Sequence, residues 1–172
     1  IVQVGDQVDR CRPGNHTCDK PEATTNDEAS DILIMELFTD LDKLASKYDC
    51  RVVSLMGNHE FMNTQGDMRY VSYKNLQQFA NEIDPKTGEK FKSAEEARTY
   101  MFSPYNKDAK YAKFLGCTRS AAVIIGSNLF IHAGIVPHIA DYYGIENKDS
   151  ITNINKLIRK WLLGQLQQLP HL

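Results

Sequence analysis

A chain of 172 residues with a formal net charge of -2 is long enough to bury a substantial core as a single domain. Its 42% hydrophobic and 24% charged residues are those of an ordinary globular protein, without the basic excess of a nucleic-acid binder. Since no apolar run reaches the roughly 18 residues that span a bilayer, neither nucleic acid nor membrane is expected as a partner.

The chain opens on Ile1-Val2-Gln3-Val4, an apolar run ending at Gly5, which reads as a strand over 1–4. It starts in mid-strand without an initiator Met, so further residues are expected upstream. Residues 11–26, rich in Pro, Gly, Asn and Thr and without periodicity, are expected as a surface loop. A helix is predicted over 27–48, with Ile32, Met35, Leu37, Leu41 and Leu44 near helical spacing. A second buried strand follows over 51–56, before Gly57. Helices are predicted over 67–83 and over 93–100, the latter opened by Ser93 and Glu96 as a capping box. Between them Asp84-Pro85-Lys86-Thr87-Gly88 is a turn. The bulky segment 79–113 is expected as a cap or lid insertion, and Lys107, Lys110 and Lys113 as a solvated face. Strands over 120–125 and 129–131, joined by Gly126-Ser127-Asn128, make a hairpin. The final helix, over 147–168, carries Ile151, Ile154, Leu157, Ile158, Trp161 and Leu162. This alternation of strands and helices predicts an α/β sandwich.

The four cysteines, Cys11, Cys18, Cys50 and Cys117, follow no dense disulfide pattern. Cys50 and Cys117 flank apolar runs and are expected as small buried hydrophobes. Cys11, His16 and Cys18 match no common zinc spacing, so a plain loop is the simpler reading. A reducing compartment and a soluble, cytoplasmic protein are therefore expected, under which the sequon Asn15-His16-Thr17 carries no glycan.

Three strands end in residues suited to a metal site: Asp6 with Asp9-Arg10, then Asn58-His59-Glu60, then His132. In open α/β sheets, sites form beyond the carboxyl ends of strands, so these ends can converge. A carboxylate, an amide oxygen and an imidazole nitrogen suit manganese, iron or zinc better than a thiolate-loving metal. Each piece alone has a plainer explanation: a Gly-Asp turn, a helix cap at Asn58, a satisfied histidine. Their order, each at a strand end, favours the site. Met62, Met68 and Tyr70 read as packing residues.

Gly5-Asp6-Gln7-Val8-Asp9-Arg10, Gly57-Asn58-His59-Glu60 and His132-Ala133-Gly134 resemble three signatures of the calcineurin-like metallophosphoesterases of phosphoprotein phosphatase type. The stretches 56–63 and 66–71, with His132-Ala133-Gly134-Ile135-Val136-Pro137 and its following helix, are most similar to the Shewanella-like protein phosphatases. The resemblance covers most of residues 1–163. It implies a metallophosphoesterase-type β-sandwich flanked by helices, here lacking its first strand and C-terminal strands, in one partial catalytic domain over 1–172. It implies two metal ions (manganese, iron or zinc) bridged by Asp6, with Asn58 and His132 completing one metal's set. His59 would be the general acid, oriented by Asp9, and Arg10 would bind phosphate. Asn63 and Arg69 become candidates for the substrate wall. The reaction implied is attack of a metal-bridging hydroxide on a phosphorylated protein or peptide, with phosphotyrosine as one candidate substrate. A dinucleoside polyphosphate hydrolase and a non-catalytic phosphopeptide-binding fragment are the alternatives.

The pattern also departs from the family's. The Asp-x-His motif of an earlier strand, a later phosphate-clamping arginine and a last metal-binding histidine are not found, and His171 is a weak substitute for that histidine. Cys11 stands where many relatives have Gly. The first metal site is therefore expected to be incomplete.

Overall fold

The structure is a computed structural model describing residues 1–168; His171 lies outside them. Strand β1 (Val2–Gln3) passes through helix α1 (Asp31–Ser46) to β2 (Val53–Leu55), which it pairs in parallel, Val2 opposite Val53. The chain then forms α2 (Asn58–Thr64), α3 (Tyr73–Gln77), α4 (Ala94–Phe102) and α5 (Lys110–Thr118). It returns as β3 (Arg119–Ser120), again parallel to β2. The sheet order is β1-β2-β3, so the carboxyl ends of β1 and β2 lie side by side. Strands β4 (Ala122–Ile125) and β5 (Asn128–Ile131) form an antiparallel hairpin turned at Gly126-Ser127. Helices α6 (Pro137–Tyr143) and α7 (Lys148–Leu162) follow.

The mixed α/β class holds. The described residues form a three-stranded parallel sheet and a separate two-stranded hairpin, which do not by themselves make up the expected sandwich. Helices supply most of the core, in which Met35, Phe79, Phe102, Leu115, Trp161 and Leu162 are almost fully buried. Asn147 caps α7 by accepting from the amides of Asp149 and Ser150. Ser93 caps α4 through the Glu96 amide, as its sequence predicts.

Several expectations are corrected. The helix expected over 67–83 shrinks to α3, which starts after its N-cap residue Ser72; before it, the Asp67 carboxylate accepts from the Arg69 amide in a local turn that competes with a helix. On α1 only Asp31, Ile32 and Met35 are buried; Leu37, Leu41 and Leu44 are exposed. Within residues 79–113, Phe79, Ala97, Phe102, Tyr111 and Leu115 belong to the main core. Lys107, Lys110 and Lys113 are exposed, the last two on the outer side of α5.

The cysteines also differ from expectation. Cys11 and Cys18 form a disulfide and are buried, so the loop they close is stapled. The cysteine pattern therefore no longer points to a reducing compartment. Cys50 and Cys117 are exposed free thiols, not core residues. Among the described residues, no helix is long and apolar enough to cross a membrane.

Candidate active site

The loops leaving β1 and β2 meet back to back. A Cβ on Gly5 would come within 2.5 Å of the Gly57 amide nitrogen, and one on Gly57 would collide with the Asp6 carboxylate. Glu60 ties the two loops together. Its fully buried carboxylate accepts from the amides of Gly57 (2.6 Å) and Asp6 (2.9 Å) through Oε2, and of Gln7 (2.6 Å) through Oε1. Burial pushes the Glu60 carboxyl up, against the lowering effect of those three amides. The sequence placed Glu60 only among the metal-suited residues at the second strand end. The signal for its larger role is its position at N3 of a helix whose cap is a glycine, which has no side chain to bond back.

This junction fixes Asp6 and Asp9 with φ of +56° and +70°, a region that non-glycine residues rarely occupy. Such outliers cluster at sites whose surroundings over-determine them. Asp6 Oδ1 accepts from the His59 amide at 3.1 Å, and Asp6 Oδ2 lies 3.2 Å from His132 Nε2. His132 Nε2 is also 3.1 Å from Asn58 Oδ1. The other ring nitrogen, Nδ1, lies 2.8 Å from the Val4 carbonyl oxygen and can only donate to it. A neutral His132 therefore turns the lone pair of Nε2 toward two further oxygen acceptors. Three lone-pair atoms, of Asp6, Asn58 and His132, converge on one point, an arrangement that a metal ion would balance. Asp6, Asn58 and His132 thus fit a metal ion by chemistry and by convergence. Among the described residues no group of three or more His, Cys, Asp or Glu is arranged to hold a metal; this trio contains an amide in place of a third such residue.

Beside it stands a dyad. His59 Nδ1 and Asp9 Oδ2 are 3.0 Å apart, and the Asp9 side chain is wholly buried. The Tyr70 ring meets His59 edge-on at 5.0 Å. Burial pushes the Asp9 carboxyl up; the Asn63 hydrogen bond, the Arg98 charge and the His59 bond oppose it, while Asp31 adds to it. With Nδ1 turned to Asp9, Nε2 is the ring nitrogen left to face a reactant.

Arg10 is exposed and pairs with Glu28 at 3.4 Å, on a polar cleft shared with Asp6, Asp9 and Arg12. Arg12 lies over the Tyr70 ring at 5.5 Å and donates to the Asp9 and Cys11 carbonyls, both at 2.8 Å. On its other side the site opens into an apolar cavity of about 390 Å³, walled by Ile131, Ile135, Ile151, Ile154 and Ile158 and rimmed by Asn58 and His132.

Asp6, Asp9, Asn58, His59 and His132 are therefore brought together, with Arg10 at the cleft. Two candidates are bonded otherwise. Asn63, expected at the substrate, is fully buried and bonds Asp9 instead. Arg69, expected on the same wall, is exposed and bonded to Asp67 at 2.8 Å. Its short acidic neighbour captures the guanidinium locally. Arg98, which contacts this centre from α4, has no motif around it and was not legible.

The chain is 37% identical over 135 residues to an uncharacterized protein of Acanthamoeba polyphaga mimivirus, covering 77% of this chain and 51% of that one. It is 24% identical over 190 aligned positions to Shewanella-like protein phosphatase 2 of Arabidopsis thaliana, covering 95% and 42%. An uncharacterized protein of Schizosaccharomyces pombe is 42% identical over 71 residues, covering 41% and 16%. The chain spans about half the length, or less, of these curated relatives. No family model matches it, and no solved structure matches it. The similarity is thus a distant relationship to a protein phosphatase.

Proposed function

We propose that this protein is the core of a metal-dependent phosphatase that hydrolyses phosphomonoesters on proteins. The observation that carries the reading is the unbalanced acceptor trio of Asp6, Asn58 and His132, beside the His59–Asp9 dyad. The trio would hold the cation, and Asp6 would be shared with a second one. Manganese, iron and zinc suit this donor set. Such ions would lower the pKa of a water nucleophile and offset charge on the phosphoryl oxygens.

The chain's own residues do the rest. The planar guanidinium of Arg10 can grip two phosphoryl oxygens once it leaves Glu28. Asp9 holds the His59 ring so that its outer nitrogen can protonate the departing oxygen. Protein as the substrate class is supported by the distant similarity to the Arabidopsis phosphatase. Phosphotyrosine is the favoured residue, because the apolar cavity reaches the edge of the site at Asn58 and His132.

The test is phosphate release from phosphotyrosine and phosphoserine peptides, and from diadenosine tetraphosphate, by the complete protein with manganese. His59→Asn should lower turnover about 10²–10⁴-fold. Hydrolysis of the dinucleotide alone would reassign the substrate. Peptide binding without release would make the chain a phosphopeptide-binding module.

A further inference from the structure

Arg98 is fully buried on α4, in a stretch of sequence without any site motif. Its guanidinium lies between the rings of Phe79 and Phe102, at 5.4 and 5.0 Å from their centroids. An arginine in such a place is kept only if every charge around it is matched. Its Nε donates to Asn63 Oδ1 at 2.9 Å, one terminal nitrogen donates to Asp31 Oδ2 at 2.8 Å, and the other to the Asn75 carbonyl at 3.4 Å. The nitrogen that binds Asp31 also lies 3.8 Å from Asp9 Oδ1.

The bond to Asn63 decides an orientation. Since Arg98 can only donate, the Asn63 amide must present its oxygen to α4 and its NH₂ to the opposite side. That NH₂ donates to Asp9 Oδ1 at 2.9 Å, Asp9 Oδ2 at 3.0 Å and the His59 carbonyl at 3.0 Å. Asp31, held by the same guanidinium, accepts from the Asp9 amide at 3.4 Å and so braces the positive-φ backbone there. Both the side chain and the main chain of Asp9 therefore trace back to one arginine.

We propose that Arg98 is the positioning residue of the His59–Asp9 dyad, setting the Asp9 carboxylate through Asn63 and its backbone through Asp31. This rests on the reading of His59 as proton donor. It also gives α4 a part in the reaction without any contact to substrate. Arg98→Lys keeps the charge but has no fork to reach Asn63 and Asp31 together.

The experiment compares two substrates with the complete manganese-loaded protein. A phosphotyrosine peptide has a basic phenolate leaving group that draws on a proton, whereas p-nitrophenyl phosphate has a good one that does not. Arg98→Lys should lower kcat on the peptide about 10²-fold, as expected for a displaced catalytic group. KM, and the rate on p-nitrophenyl phosphate, should stay within about threefold; general damage would lower both substrates alike. Asn63→Ala removes the link while keeping the guanidinium and carries the same expectation, so it serves if Arg98→Lys does not fold. The double variant should lose no more than Arg98→Lys alone, because the Asn63 link is one of the two arms that Arg98 sets. Equal losses on both substrates, or single losses that multiply, overturn the assignment. His59→Asn separates the two claims. If it is selective for the peptide while Arg98→Lys and Asn63→Ala are not, only the Arg98 assignment falls. If His59→Asn is itself unselective, the proton-donor reading falls and takes the Arg98 assignment with it.

Discussion

Gly57→Ala is the substitution whose effect can be worked most directly from the geometry. The φ of Gly57 is -101°, so alanine meets no backbone penalty there. The added methyl would, however, overlap the Asp6 carboxylate and stand 2.7 Å from the Asp6 amide nitrogen, where ordinary contact begins near 3.4 Å. The Asp6 loop must retreat by about 0.7 Å at the nitrogen, and further at the carboxylate. Such a shift stretches the 3.1 Å bond to the His59 amide and the 3.2 Å approach to His132 beyond useful range. Overpacking of this kind costs about 1–3 kcal/mol. Gly134→Ala is the matched control: it lies two residues from His132, yet its Cβ would meet nothing within 4 Å. Thermal unfolding and manganese titration calorimetry of both variants check the argument. Gly57→Ala should melt lower by roughly 2–4 °C per kcal/mol and bind manganese at least about tenfold more weakly. Gly134→Ala should match the parent in both. Unchanged manganese affinity in Gly57→Ala would refute the claim that Asp6 is placed by contact with the second loop.

Glu60→Gln keeps one oxygen for the Gly57 and Asp6 amides but turns an NH₂ toward the Gln7 amide. The buried donor left unsatisfied should destabilise the fold by about 1–3 kcal/mol in urea unfolding. The raised carboxyls of Glu60 and Asp9 also give stability a pH dependence. The folded chain holds these protons more tightly than the unfolded one. Their contribution is thus full below the ordinary carboxylate range and is lost as pH rises through the raised values. Urea titrations at several pH values should show that decline, and Glu60→Gln should flatten it. Removing the Cys11–Cys18 disulfide, which closes a short loop of sequence separation 7, should lower stability by about 2 kcal/mol on loop-entropy grounds. The paired Cys11→Ser and Cys18→Ser variant should also weaken peptide binding, since the staple begins one residue after Arg10.

The convergence of the candidate site's residues was legible because they are local to strand ends. Asp6, Asn58 and His132 follow directly from β1, β2 and β5, and the parallel sheet needs only short turns to bring the first two together. The helical segment 110–118 was missed because its lysines face water and dominate the pattern, while Tyr111, Ala112 and Leu115 carry the buried face. The buried placement of Asn63 was not legible for a different reason. Proximity to a metal loop in sequence does not say whether a helix turns a side chain to the cleft or to the core. Arg98 reaches Asn63 across 35 residues and Asp31 across 67, and no local pattern encodes such contacts. The Cys11–Cys18 pairing lay within one loop, but two cysteines without a framework resemble a plain loop as much as a staple.

Manganese-dependent phosphate release by the complete protein, compared between the parent and Asp6→Asn after chelation and reloading, tests the central claim most directly. The account predicts that release disappears with the chelator and returns with manganese. It further predicts that Asp6→Asn fails to recover because the acceptor trio no longer holds the ion. Release that survives chelation, or that Asp6→Asn leaves unchanged, would contradict it.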